Sequence, residues 1–288
     1  MNKSVLIAAR LAGLLLVLLA SLCSAVAQAP APKASPAPAA NDVHVRASEI
    51  GVDASIADDP DVNKMLAAYS PKVRELDAVL GNLKGELRKG GTGAGSMGNF
   101  VADGMRAQGS LKLGQPIDLA IMNSGGMRRN TISEGVLRAR DIFELLPFEN
   151  ALVTIELTGE QMTRLLGMVV ASREAQSGAR IVYFTKPDRT SEVVSAKLRG
   201  PNNVEKEIDP TATYRVVTID YLVNVGGDRY AILREGKNLK ALGVTLRDAM
   251  MAYVKAETAA GRDIKPNLDG RFSYDRTKPA PTEEGRPQ

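Results

Sequence analysis

Asn123, Gly125, Gly126 and Arg128 stand within one short block, Asn123-Ser124-Gly125-Gly126-Met127-Arg128. These types at this spacing suit recognition chemistry. Adjacent glycines let a backbone turn sharply and come close to a ligand. An Asn amide both donates and accepts, and an Arg offers a fixed fork of donors that fits an anion. The same residues also suit a plain strand-ending turn with a surface Arg. A second block, Asp220-Tyr221-Leu222-Val223-Asn224-Val225-Gly226-Gly227-Asp228, repeats the logic with a carboxylate in place of the Arg. In a third, Gly93, Gly95 and Gly98 spell G-x-G-x-x-G. A dinucleotide site needs a buried strand directly before such glycines. Gly85-Glu86-Leu87-Arg88-Lys89 is a poor one. A helix beginning near Ser96 still lets this loop present N–H groups to an anion.

Composition narrows the chemistry. The 288 residues include one histidine, His44, and one cysteine, Cys23. A Ser-His-Asp triad needs a positioned His, and hydrolytic two-metal sites draw on several. His44 adjoins a Pro/Ala-rich stretch and reads as solvated. Metal binding by carboxylates alone would fall to residues such as Asp103, Asp118, Asp141 and Glu144, whose spacing forms no known cluster. The formal charge of +4 falls by two if Lys3 and Arg10 are removed with a leader. No basic cluster is interleaved with aromatics, so no nucleic-acid partner is expected.

The elements that must position these blocks follow from pattern. Residues 1–27 read as a signal peptide: Lys3 and Arg10, the apolar run Leu11 to Leu22, then Ala25-Val26-Ala27 before the cut. Leu22 before Cys23 is too large for a lipidation site, so no stable membrane anchor is expected and the mature chain is exported, periplasmic or extracellular. Residues 28–44 form a Pro/Ala-rich linker and 278–288 a polar, Pro-rich tail. Between them, 45–277 reads as one α+β domain with a mixed sheet and packed helices. Over 61–81 the apolar face of Val62, Met65, Leu66, Tyr69, Val73, Leu76 and Leu80 predicts a helical pattern, broken or kinked at Pro71, packed on the core. Ile117 to Ile121, Leu152 to Leu157, Ile181 to Phe184, Glu192 to Leu198 and Tyr214 to Ile219 read as strands. Thr158-Gly159-Glu160-Gln161 is a capping box that starts a helix to about Ser172. A short helix is expected over Asp141–Leu146, another from Thr245 to Gly261, and a last strand near Gly270-Arg271-Phe272.

Several blocks in order resemble the C-terminal, substrate-binding domain of the 5′-nucleotidase / UDP-sugar hydrolase family. They are Met97-Gly98-Asn99-Phe100-Val101-Ala102-Asp103, the Asn123–Arg128 block, Leu146-Pro147-Phe148, Leu157-Thr158-Gly159, Ser177-Gly178, Gly226-Gly227-Asp228 and Gly270-Arg271. The resemblance covers about residues 45 to 276. It implies that Asn123 and the Gly126 backbone contact a base and that Arg128 meets the ribose or phosphate. Phe148 forms one face of an aromatic sandwich, Gly178 makes a close backbone contact, and Asp228 accepts from the ribose hydroxyls. Three departures stand out. Gly93 occupies a position where the family carries an Arg; either the Gly91–Ser96 loop replaces it with N–H groups or phosphate recognition is lost. Leu222 falls where the second aromatic belongs, with Tyr221 beside it as the chemical choice. Arg229 replaces a Gly.

The family's metallophosphatase domain, which holds two metals and cuts the ester, has no counterpart in this sequence. The resemblance therefore implies a nucleotide- or nucleoside-binding half of a split 5′-nucleotidase. A separate metallophosphatase chain would supply the divalent metals, and no cofactor is expected in this one. The alternatives are a non-binding structural or interaction relic, and a self-sufficient phosphate-ester hydrolase.

Overall fold

The computed structural model describes residues 46–53, 55–200 and 204–278. The leader, the linker and His44 lie outside them, as does the tail beyond 278. The chain divides into two units, Met1–Ala57 and Asp58–Gln288. The described part of the first is exposed and carries one local turn, in which the Ser55 N–H donates to Asp53 Oδ1 at 2.8 Å.

The second unit is built on a five-stranded sheet. Its strand order is Lys237–Thr245, Ala151–Thr158, Thr213–Ile219, Leu119–Met122, Ala175–Ser177. Leu119–Met122 is buried on both faces. It runs parallel to Thr213–Ile219 and antiparallel to Ala175–Ser177. These directions decide where the loops meet. Met122, Ile219 and the entries to Ala151 and Ala175 all lie at one edge of the sheet, because Ile219 pairs Leu152 and Met122 pairs Ala175. A smaller sheet joins Glu205–Lys206, Ser191–Arg199, Ala179–Thr185 and Phe272–Tyr274.

Three helices cover the core: Gly95–Leu113, Gly159–Ala171 and Leu246–Ala259. The second begins with the expected capping box, Thr158 Oγ1 accepting from the Gln161 N–H at 3.3 Å and Gln161 Oε1 from the Thr158 N–H at 2.9 Å. It buries Met162, Leu165, Leu166 and Val169. The α+β expectation is met.

The helix expected over 61–81 is not one element. Pro60–Ala67 and Ser70–Glu75 are separate short helices, and Val79–Leu83 is a strand that carries Leu80. Pro71 lies in the first turn of the second helix, where its missing N–H costs nothing, so it starts a helix instead of kinking one. Neither helix has a buried residue; Met65 is 62 % and Tyr69 64 % exposed. Their apolar stripe has no partner among the described residues. Lys237–Thr245, an edge strand with no fully buried position, has no forerunner in the pattern reading, and Phe272–Tyr274 begins at the end of the last predicted strand.

Candidate functional site

At the common edge of the main sheet, each strand ends in a loop with polar or aromatic side chains. Met122 leads into Asn123 and a single tight turn, closed by the Gly126 N–H to Asn123 C=O at 3.0 Å. A Cβ at Gly126 would press on the Met122 methyl and lie 2.9 Å from Asn123 Oδ1, so glycine leaves these two side chains where they are. Asn123 Oδ1 is buried and has no hydrogen-bond partner among the described residues. Such an atom carries a desolvation cost until something donates to it. Arg128 is held by its N–H to the Leu145 C=O at 2.8 Å, and its guanidinium carbon lies 5.8 Å from the Phe148 ring centre.

Phe148 stands on the loop before the Ala151–Thr158 strand. Leu146 anchors this loop in the core. Glu149 pairs with Arg247, whose guanidinium lies 4.1 Å over the Phe143 ring, and the Asn150 C=O accepts from Leu246 at 2.8 Å. Phe148 itself is left 45 % exposed. Across from it, Ile219 runs into a short helix, Asp220–Asn224. Asp220 Oδ1 accepts from the Tyr221 N–H at 2.8 Å and from the Ala151 N–H at 3.0 Å. One carboxylate thus ties the Tyr221 helix to the Phe148 loop. The helical turn settles which residue faces outward: Leu222 is fully buried and Tyr221 is 45 % exposed.

Asn123, Gly126, Arg128, Phe148 and Tyr221 line one cavity of about 320 Å³, together with Gly125 and Asn150. That volume falls within the range of small-molecule sites. Among the described residues the two aromatic rings have no ring partner in each other. Two predicted residues are not in this lining. Asp228 follows Gly227, which has φ 75°, and opens a one-turn helix; it is exposed and its carboxylate pairs with no described residue. Gly178 is a correction. Because Ser177 pairs with Ala120, Gly178 lies at the opposite end of the Leu119–Met122 strand, where a Cβ would collide with the Asp118 carbonyl. Its close backbone contact is with the sheet.

Gly178 instead borders a charged cleft of about 180 Å³. There Arg271 bonds both Asp103 oxygens at 2.8 and 2.9 Å, Asp269 Oδ1 at 2.9 Å and the Gln176 C=O at 3.0 Å. Burial of Asp269 opposes its ionisation, but Arg271, with help from Arg199, more than offsets this and holds its carboxyl at about 2. Arg271, although buried, is raised by its two carboxylates.

The other carboxylates considered as metal ligands are dispersed and engaged. Asp118 accepts from the Arg215 N–H at 2.7 Å, while Asp141 and Glu144 pair with Arg129 at 3.2 and 3.0 Å. They do not form one ligand set. A broader groove of about 800 Å³, beside Arg106, Pro116 and Tyr214, is larger than the aromatic cavity. Its Tyr214 hydroxyl is taken by the Asp209 N–H at 2.9 Å, and no aromatic pair faces into it. Chemistry, not volume, favours the aromatic cavity.

The Gly93 departure has a steric cause. Its φ is +79° and a Cβ would collide with the Phe272 ring, so no side chain fits. Pattern reading missed Asn150, Asp220 and Glu174. Asn150 could have been found as the polar residue that closes the Leu146–Asn150 block just before a strand. Asp220 is marked only as the polar residue that stops a strand, and Glu174 leaves no such mark.

The sequence matches the family described as 5′-nucleotidase, C-terminal domain, over residues 75–235, more than half of the chain. The chain belongs to the 5′-nucleotidase C-terminal domain family. The matched region contains every residue of the aromatic cavity and Asp228, but not Arg271. Among relatives, the trifunctional nucleotide phosphoesterase protein YfkN of Bacillus subtilis is 30% identical over 217 residues, which are 73% of this chain and 14% of the relative. Protein UshA of Yersinia enterocolitica is 30% identical over 179 residues, 61% of this chain and 30% of the relative. The 5′-nucleotidase precursor of Thermus thermophilus superposes with a TM-score of 0.62 at 25% identity, over 76% of this chain and 43% of that one. The chain thus spans less than half the length of each of these proteins. No helix among the described residues is long and apolar enough to cross a membrane.

Proposed function

We propose that this 5′-nucleotidase C-terminal domain binds a nucleoside or nucleotide outside the cytoplasm, as the substrate-holding half of a split 5′-nucleotidase. A separate metallophosphatase chain holds the divalent metals and cleaves the ester. The observation that carries the reading is the cavity in which half-exposed Phe148 and Tyr221 accompany the unpartnered Asn123 Oδ1. A planar base between two rings gains about 1–3 kcal/mol per stacking face. Asn123 Oδ1 accepts an N–H from the base edge, and the exposed Arg128 fork meets an anionic or hydroxyl group at the rim. Asp228 takes the ribose diol through charge-assisted bonds. Relatives named as a nucleotide phosphoesterase, an apyrase and a 5′-nucleotidase support the substrate class.

Calorimetric titration of the exported chain with adenosine, AMP, UMP and UDP-glucose tests the binding. Saturable heat with at least one ligand is expected; none at millimolar concentration overturns the reading. The partner is tested by adding a metallophosphatase encoded beside this gene and measuring phosphate release from AMP that needs both chains. One observation favours a variant of the reading in which phosphate recognition is lost. Gly93, under the Phe272 ring, has no room for a cation. In that case AMP binds no more tightly than adenosine.

A further inference from the structure

Between the two glycine-bearing loops lies a buried carboxylate that the nucleoside reading leaves without a task. Glu174 is 4 % exposed. Its Oε2 accepts the Ser124 N–H at 2.5 Å, in the turn that carries Asn123 and Gly126. Its Oε1 accepts the Tyr230 hydroxyl at 2.6 Å, in the turn that Asp228 opens. Tyr230 is itself buried. Glu174 forms no ion pair with a described Lys or Arg. A buried carboxylate without a cation is costly unless hydrogen bonds compensate it. Two donors from two separate loops do so here. The residue before it, Arg173, holds a left-handed φ of 56° and accepts the Gly93 N–H at 3.3 Å, which fixes the backbone that aims the carboxylate. Burial, followed by the bond to Glu174, pushes the Tyr230 phenol well above its usual value, so it stays a donor at neutral pH.

We propose that Glu174 is a positioning residue that holds the Asn123 turn and the Asp228 turn in register, so that base and ribose are recognised together. The proposal rests on the nucleoside reading for its ligand and on the two hydrogen bonds for its mechanism. Both bonds need an acceptor. A leucine of similar size offers no acceptor, so both loops are released, whereas a glutamine could still accept from the Ser124 N–H and donate to the Tyr230 hydroxyl oxygen.

The test compares the wild-type chain with Glu174→Leu and Tyr230→Phe, titrating adenosine and 2′-deoxyadenosine and following amide hydrogen exchange without ligand. Tyr230→Phe releases only the Asp228 side. Adenosine affinity should fall about tenfold, toward that of the deoxynucleoside, whose affinity should hold. Glu174→Leu should weaken both ligands and erase the ribose preference. In the exchange experiment, Tyr230→Phe should speed exchange across the Ser124–Gly126 turn as well as its own. Equal weakening of both ligands with the preference intact, or exchange changes confined to the mutated loop, overturns the proposal. Loss of both ligands in the wild type with coupled exchange intact removes the nucleoside reading and leaves the mechanical coupling.

Discussion

The two ends of the Leu119–Met122 strand carry similar raw materials and opposite states. At the start of the strand, arginines and carboxylates are packed against each other: Arg271 alone bonds Asp103, Asp269 and a carbonyl. At the end of the strand, Asn123 Oδ1 is buried without a partner, two aromatic rings are half-exposed, and Arg128 is exposed. A satisfied polar network specifies a fold. An unsatisfied group beside exposed aromatics is a site waiting for donors and a flat face. The difference separates residues that hold the domain together from residues that hold something else, and Gly178 belongs with the first.

Substitutions should break this comparison cleanly. Arg271→Ala strands two carboxylates and should cost about 3–5 kcal/mol of stability, read as a lower urea midpoint. A loss of under ~1 kcal/mol would mean the network is not structural. The neighbours Leu222 and Tyr221 sharpen the contrast. Leu222→Ala removes a fully buried side chain and should cost about 2–5 kcal/mol of stability. Tyr221→Ala should leave stability nearly unchanged and weaken adenosine binding by about 1–3 kcal/mol. Acid should act on the structural end first. The folded Asp269 carboxyl, at about 2, lies below its ordinary 3.8. Its contribution is therefore complete above about pH 4 and is lost as pH falls through the folded value near 2. Stability measured from pH 5 to pH 2 should decline in that window, and the decline should flatten in Arg271→Ala. The smallest effect is expected from Asn123→Ala. With no hydrogen bond to lose at Oδ1, it should change stability by less than ~1 kcal/mol while lowering base affinity.

Much of this was legible in the sequence because strand ends announce themselves. Apolar alternation that stops at Asn123 and at Asp220 marks sheet edges, and parallel or paired strands bring such edges together. The capping box at Thr158 was readable for the same reason: its chemistry is local. What failed was non-local. The stripe Val62-Met65-Leu66-Tyr69 predicts an apolar helical face, but periodicity does not supply a partner to bury it. Lys237–Thr245 escaped notice because an exposed edge strand with Lys237 and Lys240 has neither alternation nor an apolar run. The choice between Tyr221 and Leu222 needed the helical turn at Asp220, which aims one residue out and the other in. Glu174 looks like any loop carboxylate until its two donors, Ser124 and Tyr230, are seen to arrive from separate loops.

The most direct test of the central claim is a crystal structure of this chain with adenosine. The base should lie between Phe148 and Tyr221, with an N–H on Asn123 Oδ1 and the ribose toward Asp228. Adenosine bound in the groove beside Arg106 and Tyr214, or a base outside the Phe148–Tyr221 pair, would contradict it.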